Sequence, residues 1–142
     1  MSDFFKDLHE SNKTILELFE NEDILKNFEK KLILGKCSSH DLELVAKVEI
    51  KEDKKVKETN NVAIEFEHNK KPAGISTTGA HFWMFILHTK DGEEIRFVET
   101  VKIKDWVRDK KWHRTASGPD GSELYLFSLE WIRQNTKLLK KD

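Results

Sequence analysis

The residues whose types and spacing could do chemistry lie in the stretch DLELVAKVEIK, residues 41–51. Its apolar side chains fall on alternate positions, Leu42 to Ile50, which is the period of a β-strand with one face on a core. Glu49 and Lys51 must then project to the same side, and Asp41 shares their parity if the strand is continuous. The sequence therefore predicts two carboxylates and a lysine on one face of a strand or tight hairpin.

Carboxylates that converge repel each other, and a bound hard cation such as Mg²⁺ or Mn²⁺ relieves that repulsion. Such a cation lowers the pKa of a bound water and neutralises charge on a phosphate oxygen. Lys51 is placed to orient that water or to stabilise the developing charge. The simpler interpretation is a solvated strand face, because the pattern Glu-x-Lys also begins at Glu29 and at Glu52.

The elements around this stretch are predicted from hydrophobic period and turn residues. Helical spacing covers residues 3–20, and a second short helix is expected around 23–31. Alternation resumes at 62–67, with Val62, Ile64 and Phe66 facing inward. The run FWMFIL at 82–87 is apolar on both faces, as in a central strand, and the KDGE turn at 90–93 predicts a hairpin.

The rest of the chain is predicted as a helix at 101–112, a loop up to about residue 122, a strand at 124–129 and a terminal helix or frayed tail at 131–142. This order of helices and strands favours an α/β domain with a mixed sheet. A length of 142 residues predicts one domain over 1–142.

Composition limits the partners and the compartment. The charged content is 36% but the net charge is only −1, so a polyanion would be met by a local patch rather than by the whole surface. The single Cys37 suits a reducing compartment, and there is no apolar run of membrane-spanning length. We expect a cytoplasmic protein without a membrane partner. The six histidines form no closely spaced pair, which disfavours a structural zinc site.

Asp41 followed after seven residues by Glu49-Ile50-Lys51 resembles the core motif of the PD-(D/E)XK nuclease superfamily, at a spacing like that of archaeal and viral Holliday-junction resolvases. Residues 60–87 are similar to the segment of phage and resolvase-like members in which a strand ending in an acidic residue leads to a basic, glycine-containing loop and then to an aromatic strand. The resemblance covers roughly residues 40–90. It implies a restriction-endonuclease-like fold, with a central mixed β-sheet flanked by helices, and metal-dependent hydrolysis of DNA.

The resemblance also implies roles for individual residues. Asp41 and Glu49 match the carboxylates that bind Mg²⁺ or Mn²⁺, and Lys51 matches the catalytic lysine. Many members add a glutamate from the first helix. Glu10 and Glu17 are both candidates here, and Glu17 is favoured because apolar neighbours anchor its helix.

Two departures from the family pattern are visible. His40 stands where a proline is expected, and Ala73 stands where the similar viral sequences favour a serine, which puts one phosphate hydrogen bond in doubt. Glu65 is a candidate for supporting the metal site, either as a further ligand or from the second coordination shell. Candidate DNA contacts in the basic loop are Lys70, Lys71, Ser76, Thr77 and Thr78.

The function implied is a small metal-dependent DNA endonuclease selective for DNA structure, of the Holliday-junction resolvase-like or phage type. Symmetric cleavage of branched DNA by such a domain would require a homodimer. The alternatives are a catalytically inactive nucleic-acid-binding module of the same fold and a non-enzymatic protein-interaction domain. Cleavage assays on a panel of DNA shapes distinguish the three.

Overall fold

The computed structural model describes residues 29–32 and 42–142, and the chain divides after Lys47 into two compact units. In the first unit, strand β1 (Glu29–Leu32) pairs antiparallel with β2 (Leu42–Val45). The expectation of a helix around 23–31 is wrong for residues 29–31, because pairing with the next strand overrides local helical preference. The predicted helix at 3–20 lies outside the described residues.

The second unit, residues 48–142, contains eight strands and three helices. The strands are β3 (Val48–Asp53), β4 (Asn61–His68), β5 (Lys71–Pro72), β6 (Phe82–Thr89), β7 (Gly92–Glu99), β8 (Arg114–Ser117), β9 (Ser122–Ser128) and β10 (Lys137–Lys141). The helices are α1 (Val56–Thr59), α2 (Thr100–Arg108) and α3 (Leu129–Asn135), and Gly74–Ser76 forms a turn of 3-10 helix. The mixed α/β class is confirmed, with two four-stranded sheets.

The first four-stranded sheet has the order β10-β7-β6-β3. Strand β3 pairs parallel with β6, and the other two pairings are antiparallel. Phe82 to Leu87 are all buried, as predicted for a central strand whose two faces are covered. The hairpin predicted at residues 90–93 joins β6 to β7.

The second sheet has the order β5-β4-β9-β8, with antiparallel pairing throughout. A register shift between Glu65 and Glu67 interrupts the pairing of β4 with β9, so this position is a β-bulge. The strand expected at 62–67 is therefore present but irregular. Val62 and Ile64 are fully buried, as the alternation predicted.

The apolar core of the second unit contains side chains from both four-stranded sheets and from the helices. Helix α2 contributes Ile103 and Trp106 to it, because these residues lie three positions apart and so share a helix face. Helix α3 begins where the Ser128 side chain accepts a hydrogen bond from the backbone N–H of Trp131, at 3.1 Å. Within the described part of the chain, no helix is both long and apolar enough to cross a bilayer.

Three expectations about this unit are corrected. Residues 114–117 form strand β8 rather than loop, and residues 137–141 form strand β10 rather than helix or tail. Ile50 was expected to face a core but is 40% exposed. The side of β3 that meets the buried Trp83 and Phe85 is instead the side that carries Glu49 and Lys51.

Candidate active-site cleft

Glu49 and Lys51 lie on β3 with their side chains in contact. The Lys51 Nζ atom lies 2.9 Å from Glu49 Oε1, and both side chains are 39% exposed. The contact follows from the strand, since residues two apart project to the same face. The sequence prediction that these residues share a side is confirmed. Asp41, Glu10 and Glu17, the other carboxylates expected at the site, lie outside the described residues.

An aromatic ring also holds Lys51 in place. The parallel register sets Glu49 beside Trp83 and Lys51 beside Phe85 on one face of the sheet. The Lys51 Nζ atom lies 5.7 Å from the centre of the Trp83 ring, within the range of a cation–π contact. The Glu49 carboxylate and the face of the Trp83 ring thus hold the Lys51 ammonium group in place, and the lysine side chain remains partly exposed to solvent.

Lys51 lines a cleft of about 440 Å³, which is within the size range of small-molecule sites. Trp83 and Phe85 form part of its apolar wall, and they were correctly predicted to be buried. The residues lining the cleft are Lys51, Glu52, Asp53, Lys54, Lys55, Ala63, Glu65, Trp83, Phe85 and Leu124. The cleft therefore combines lysines, carboxylates and an aromatic floor.

Asp53 has a structural role that the sequence analysis did not recognise. Its Oδ1 atom accepts a hydrogen bond from the backbone N–H of Lys55, and its Oδ2 atom accepts one from that of Ala63, at 3.0 and 3.1 Å. Both carboxylate oxygens are therefore used to hold β3 against the start of β4. The spacing of two residues from Lys51 predicts that Asp53 lies on the same face of β3 as Glu49 and Lys51. Spacing alone does not predict that the Asp53 carboxylate binds backbone N–H groups.

Glu65 lines the cleft from β4 and is held by a polar cluster. The Ser122 hydroxyl lies 2.8 Å from Glu65 Oε2, and the Nδ1 atom of His68 lies 3.6 Å from the same oxygen. Ser122 also contacts Asp120, and these hydrogen bonds, from its side chain and its backbone, lower the pKa of the Asp120 carboxyl. This cluster was not predictable from sequence spacing, because its members come from β4, from the turn before β9 and from the first residue of β9.

The basic loop does not line the cleft, and part of it is committed to structure. The Ser76 hydroxyl donates to the Phe66 carbonyl at 2.8 Å, and Thr78 Oγ1 accepts from the Ala80 N–H at 3.2 Å. Lys70, Lys71 and Thr77 are exposed. Their predicted DNA contacts stay predictions, whereas the Ser76 side chain already has a partner.

The described residues contain no group of three or more His, Cys, Asp or Glu side chains arranged to hold a metal ion. Mg²⁺, however, keeps several waters and is often bound by one or two carboxylates together with substrate phosphates. Among the described residues, the contacts of the Glu49 carboxylate and of the Glu65 carboxylate each involve one oxygen atom. Each is a carboxylate of the type that such a partly hydrated cation takes as a ligand.

Comparison with known proteins does not assign this chain to a family. Neither the protein-family models, nor the curated proteins, nor the solved structures contain a match to this chain.

Proposed function

We propose that the protein is a metal-dependent DNA endonuclease of the PD-(D/E)XK type with a restriction-endonuclease-like fold, acting in the cytoplasm. The observation that carries the proposal is the fixed position of Lys51 at an open cleft, between the Glu49 carboxylate and the Trp83 ring. A lysine beside a carboxylate is the minimum that the motif requires on this strand. Branched DNA is the proposed substrate, and a homodimer is proposed for symmetric cutting.

In the proposed mechanism, the carboxylates bind the metal ion, and the lysines act on the water and on the phosphates. Glu49, with Asp41 and Glu17 outside the described residues, would hold Mg²⁺ or Mn²⁺, which supplies a water of lowered pKa when bound. Lys51 orients the attacking water and stabilises negative charge that develops on the scissile phosphate. Lys54 and Lys55, both exposed at the cleft, bind the flanking phosphate backbone.

The test uses the purified full chain with Mn²⁺ and with branched, nicked and plain duplex DNA. We expect Glu49→Ala and Lys51→Ala to lower the cleavage rate at least about 100-fold, as expected when a group that stabilises transition-state charge is lost. Lys57→Ala is the matched control, because Lys57 is exposed on α1 and does not line the cleft. Cleavage that survives both active-site substitutions rejects this site.

One observation favours a second candidate, a nucleic-acid-binding module of the same fold without activity. Within residues 42–142, the metal-ligating side chains do not reach a group of three. Wild-type protein that binds DNA but does not cut it in Mn²⁺ would support this module. Protein that neither binds nor cuts DNA would support an interaction domain instead.

A further inference from the structure

Strand β3 lies at an edge of the first four-stranded sheet. Of the strands that the structure describes, only β6 pairs with it, over all six residues of β3. The edge of a sheet is a template for pairing with another chain. Ile50, near the middle of β3, is a large apolar residue and yet is 40% exposed. The outer edge of β3 is therefore a candidate surface for the addition of a strand.

The other three edge strands of the two described four-stranded sheets have features that disfavour such pairing. Strand β10 carries three lysines and a register shift, β5 has only two residues, one of them Pro72, and β8 has four residues. Lysines, bulges, proline and short length are the features by which proteins keep sheet edges apart. Strand β3 is longer and regular, and it carries opposite charges at Glu49 and Lys51. It is therefore the edge best suited to pairing.

The charges of β3 select one register for pairing with a second copy of the chain. Two copies related by a two-fold axis perpendicular to the sheet join these edges antiparallel, and facing residues project to the same side of the sheet. With Ile50 opposite itself, Glu49 faces Lys51 of the partner subunit, and Lys51 faces the partner's Glu49. A register centred on Glu49 sets two glutamates against each other, and one centred on Lys51 sets two lysines.

Opposite charges at facing positions stabilise a pair of strands, whereas like charges destabilise it. The segment Glu49-Ile50-Lys51 is thus complementary to itself in only one of these three registers. That register also brings the exposed Ile50 side chains of the two copies together across the axis, which removes apolar surface from water.

The same pairing brings a residue of the second copy to the cleft. Lys51 lines the cleft and contacts the Glu49 carboxylate of its own chain at 2.9 Å. Facing residues of antiparallel strands have Cβ atoms about 5 Å apart, so the partner's Glu49 would also lie within reach of Lys51 Nζ. Both side chains are 39% exposed and so retain surface for this contact.

We propose that two copies of this chain form a dimer by antiparallel pairing of their β3 strands, centred on Ile50, with each Lys51 between its own Glu49 and that of the other copy. The pairing joins two four-stranded sheets into one. It gives the homodimer of the proposed function a surface, but it rests on the charges and position of β3 and does not require nuclease activity.

The experiment measures the mass of the full chain by analytical ultracentrifugation over a series of protein concentrations, without metal or DNA. We expect wild type to form a dimer reversibly. Glu49→Lys alone and Lys51→Glu alone each set like charges against each other at both facing positions. Each variant should therefore raise the dissociation constant of the dimer at least about tenfold.

Mixing the two variants tests the register directly. In a dimer of one Glu49→Lys chain with one Lys51→Glu chain, both facing positions again carry opposite charges. The equimolar mixture should therefore dimerise with nearly the wild-type dissociation constant. A variant that had merely failed to fold would not be rescued by mixing. A mixture that stays monomeric would overturn the proposed register.

The other edge of the same sheet supplies a matched control. Ile50→Lys sets two lysines against each other on the axis and should weaken the dimer at least about tenfold. Leu138→Lys makes the equivalent change on β10, where Leu138 is 43% exposed, and should leave the dissociation constant unchanged. An equal loss in these two variants would overturn the assignment of the interface to β3.

The outcomes separate this interface from the proposed function. A dimer that depends on Glu49 and Lys51 in a protein that cuts no DNA would support the interface and reject the nuclease. DNA cleavage by a wild-type chain that stays monomeric at every concentration would overturn the interface and keep the nuclease.

Discussion

Gly74 shows how one residue of the basic loop contributes to structure. Its φ of +55° lies in the left-handed region, which side chains rarely adopt, and the Glu65 carbonyl occupies the space where a Cβ would go. Ser76, Thr77 and Thr78, which follow closely after this glycine, are predicted DNA contacts. The structure shows that Gly74 also lies against the backbone of the β-bulge at Glu65, where a larger residue would not fit.

We predict that Gly74→Ala destabilises the protein by about 2 kcal/mol or more, because a left-handed conformation and a backbone overlap add together. The measurement is the free energy of unfolding in urea. Gly79→Ala is the control: nothing lies within 4 Å of a Cβ built there, so its stability should change by less than about 1 kcal/mol. Equal effects at the two glycines would contradict the proposed packing.

At the scale of elements, a buried ion cluster joins strand β7 to helix α3. Glu94 is fully buried, and its carboxylate accepts hydrogen bonds from Arg96 on the same strand and from Arg133 on the helix. Burial alone would raise the pKa of Glu94, but the hydrogen bonds and charges of Arg133 and Arg96 outweigh it, so the pKa lies below its ordinary value of 4.5. The ionised carboxylate is thus part of the native state.

We predict that Glu94→Gln lowers the free energy of unfolding by about 3 kcal/mol at pH 7, because two arginines lose their buried partner. A lowered pKa means that the Glu94 contribution is fully present above the ordinary pKa of the carboxyl and is lost as pH falls through the folded value. The difference between wild type and variant should therefore shrink in acid. Urea unfolding from pH 7 to pH 3 measures it.

The control for this prediction is Glu58→Gln, because Glu58 is exposed on α1 and should change stability little at any pH. A difference between Glu94→Gln and wild type that is the same at pH 3 and pH 7 would contradict the assigned role of the ionised carboxylate.

The elements that sequence predicted well are those whose pattern is local. Alternation located β3 and β4, a continuous apolar run located β6, and helical spacing located α2, because these signals depend only on neighbouring residues. Strand β10 was missed because its residues KLLKK become a strand only by pairing with β7, about 40 positions earlier. The bulge at Glu65 was missed for the same reason, since register depends on the partner strand.

The candidate site was predictable in part. The parity of Glu49 and Lys51 followed from the strand period, and their contact confirms it. The wall formed by β9 was not predictable, because Leu124 reaches the cleft through sheet topology rather than through sequence spacing. The side of β3 that meets Trp83 was predicted wrongly, since a strand with polar residues on its buried side reverses the usual alternation.

At the scale of the whole molecule, a net charge of −1 gives no general attraction for DNA. Binding must then come from local groups, and the cleft supplies Lys54 and Lys55 at its exposed edge. Each lysine that neutralises a phosphate releases counterions, so it contributes to the salt dependence of binding.

We predict that the double variant Lys54→Ala/Lys55→Ala binds DNA more weakly and that the slope of log affinity against log salt falls by about 2 in magnitude. The double variant Lys102→Ala/Lys104→Ala removes two exposed lysines of α2 that do not line the cleft and should keep the wild-type slope. Fluorescence anisotropy at several salt concentrations measures both. Equal loss in the two variants would indicate nonspecific attraction instead of binding at the cleft.

The parallel pairing of β3 with β6 has a consequence for synthesis of the protein. The two strands are joined by residues 54–81, and the cleft also needs Leu124 on β9. When Lys51 has just left the ribosome, the chain still lacks the Trp83 ring that contacts this lysine. It also lacks Leu124, which lines the other side of the cleft. The cleft can therefore form only after synthesis has passed residue 124.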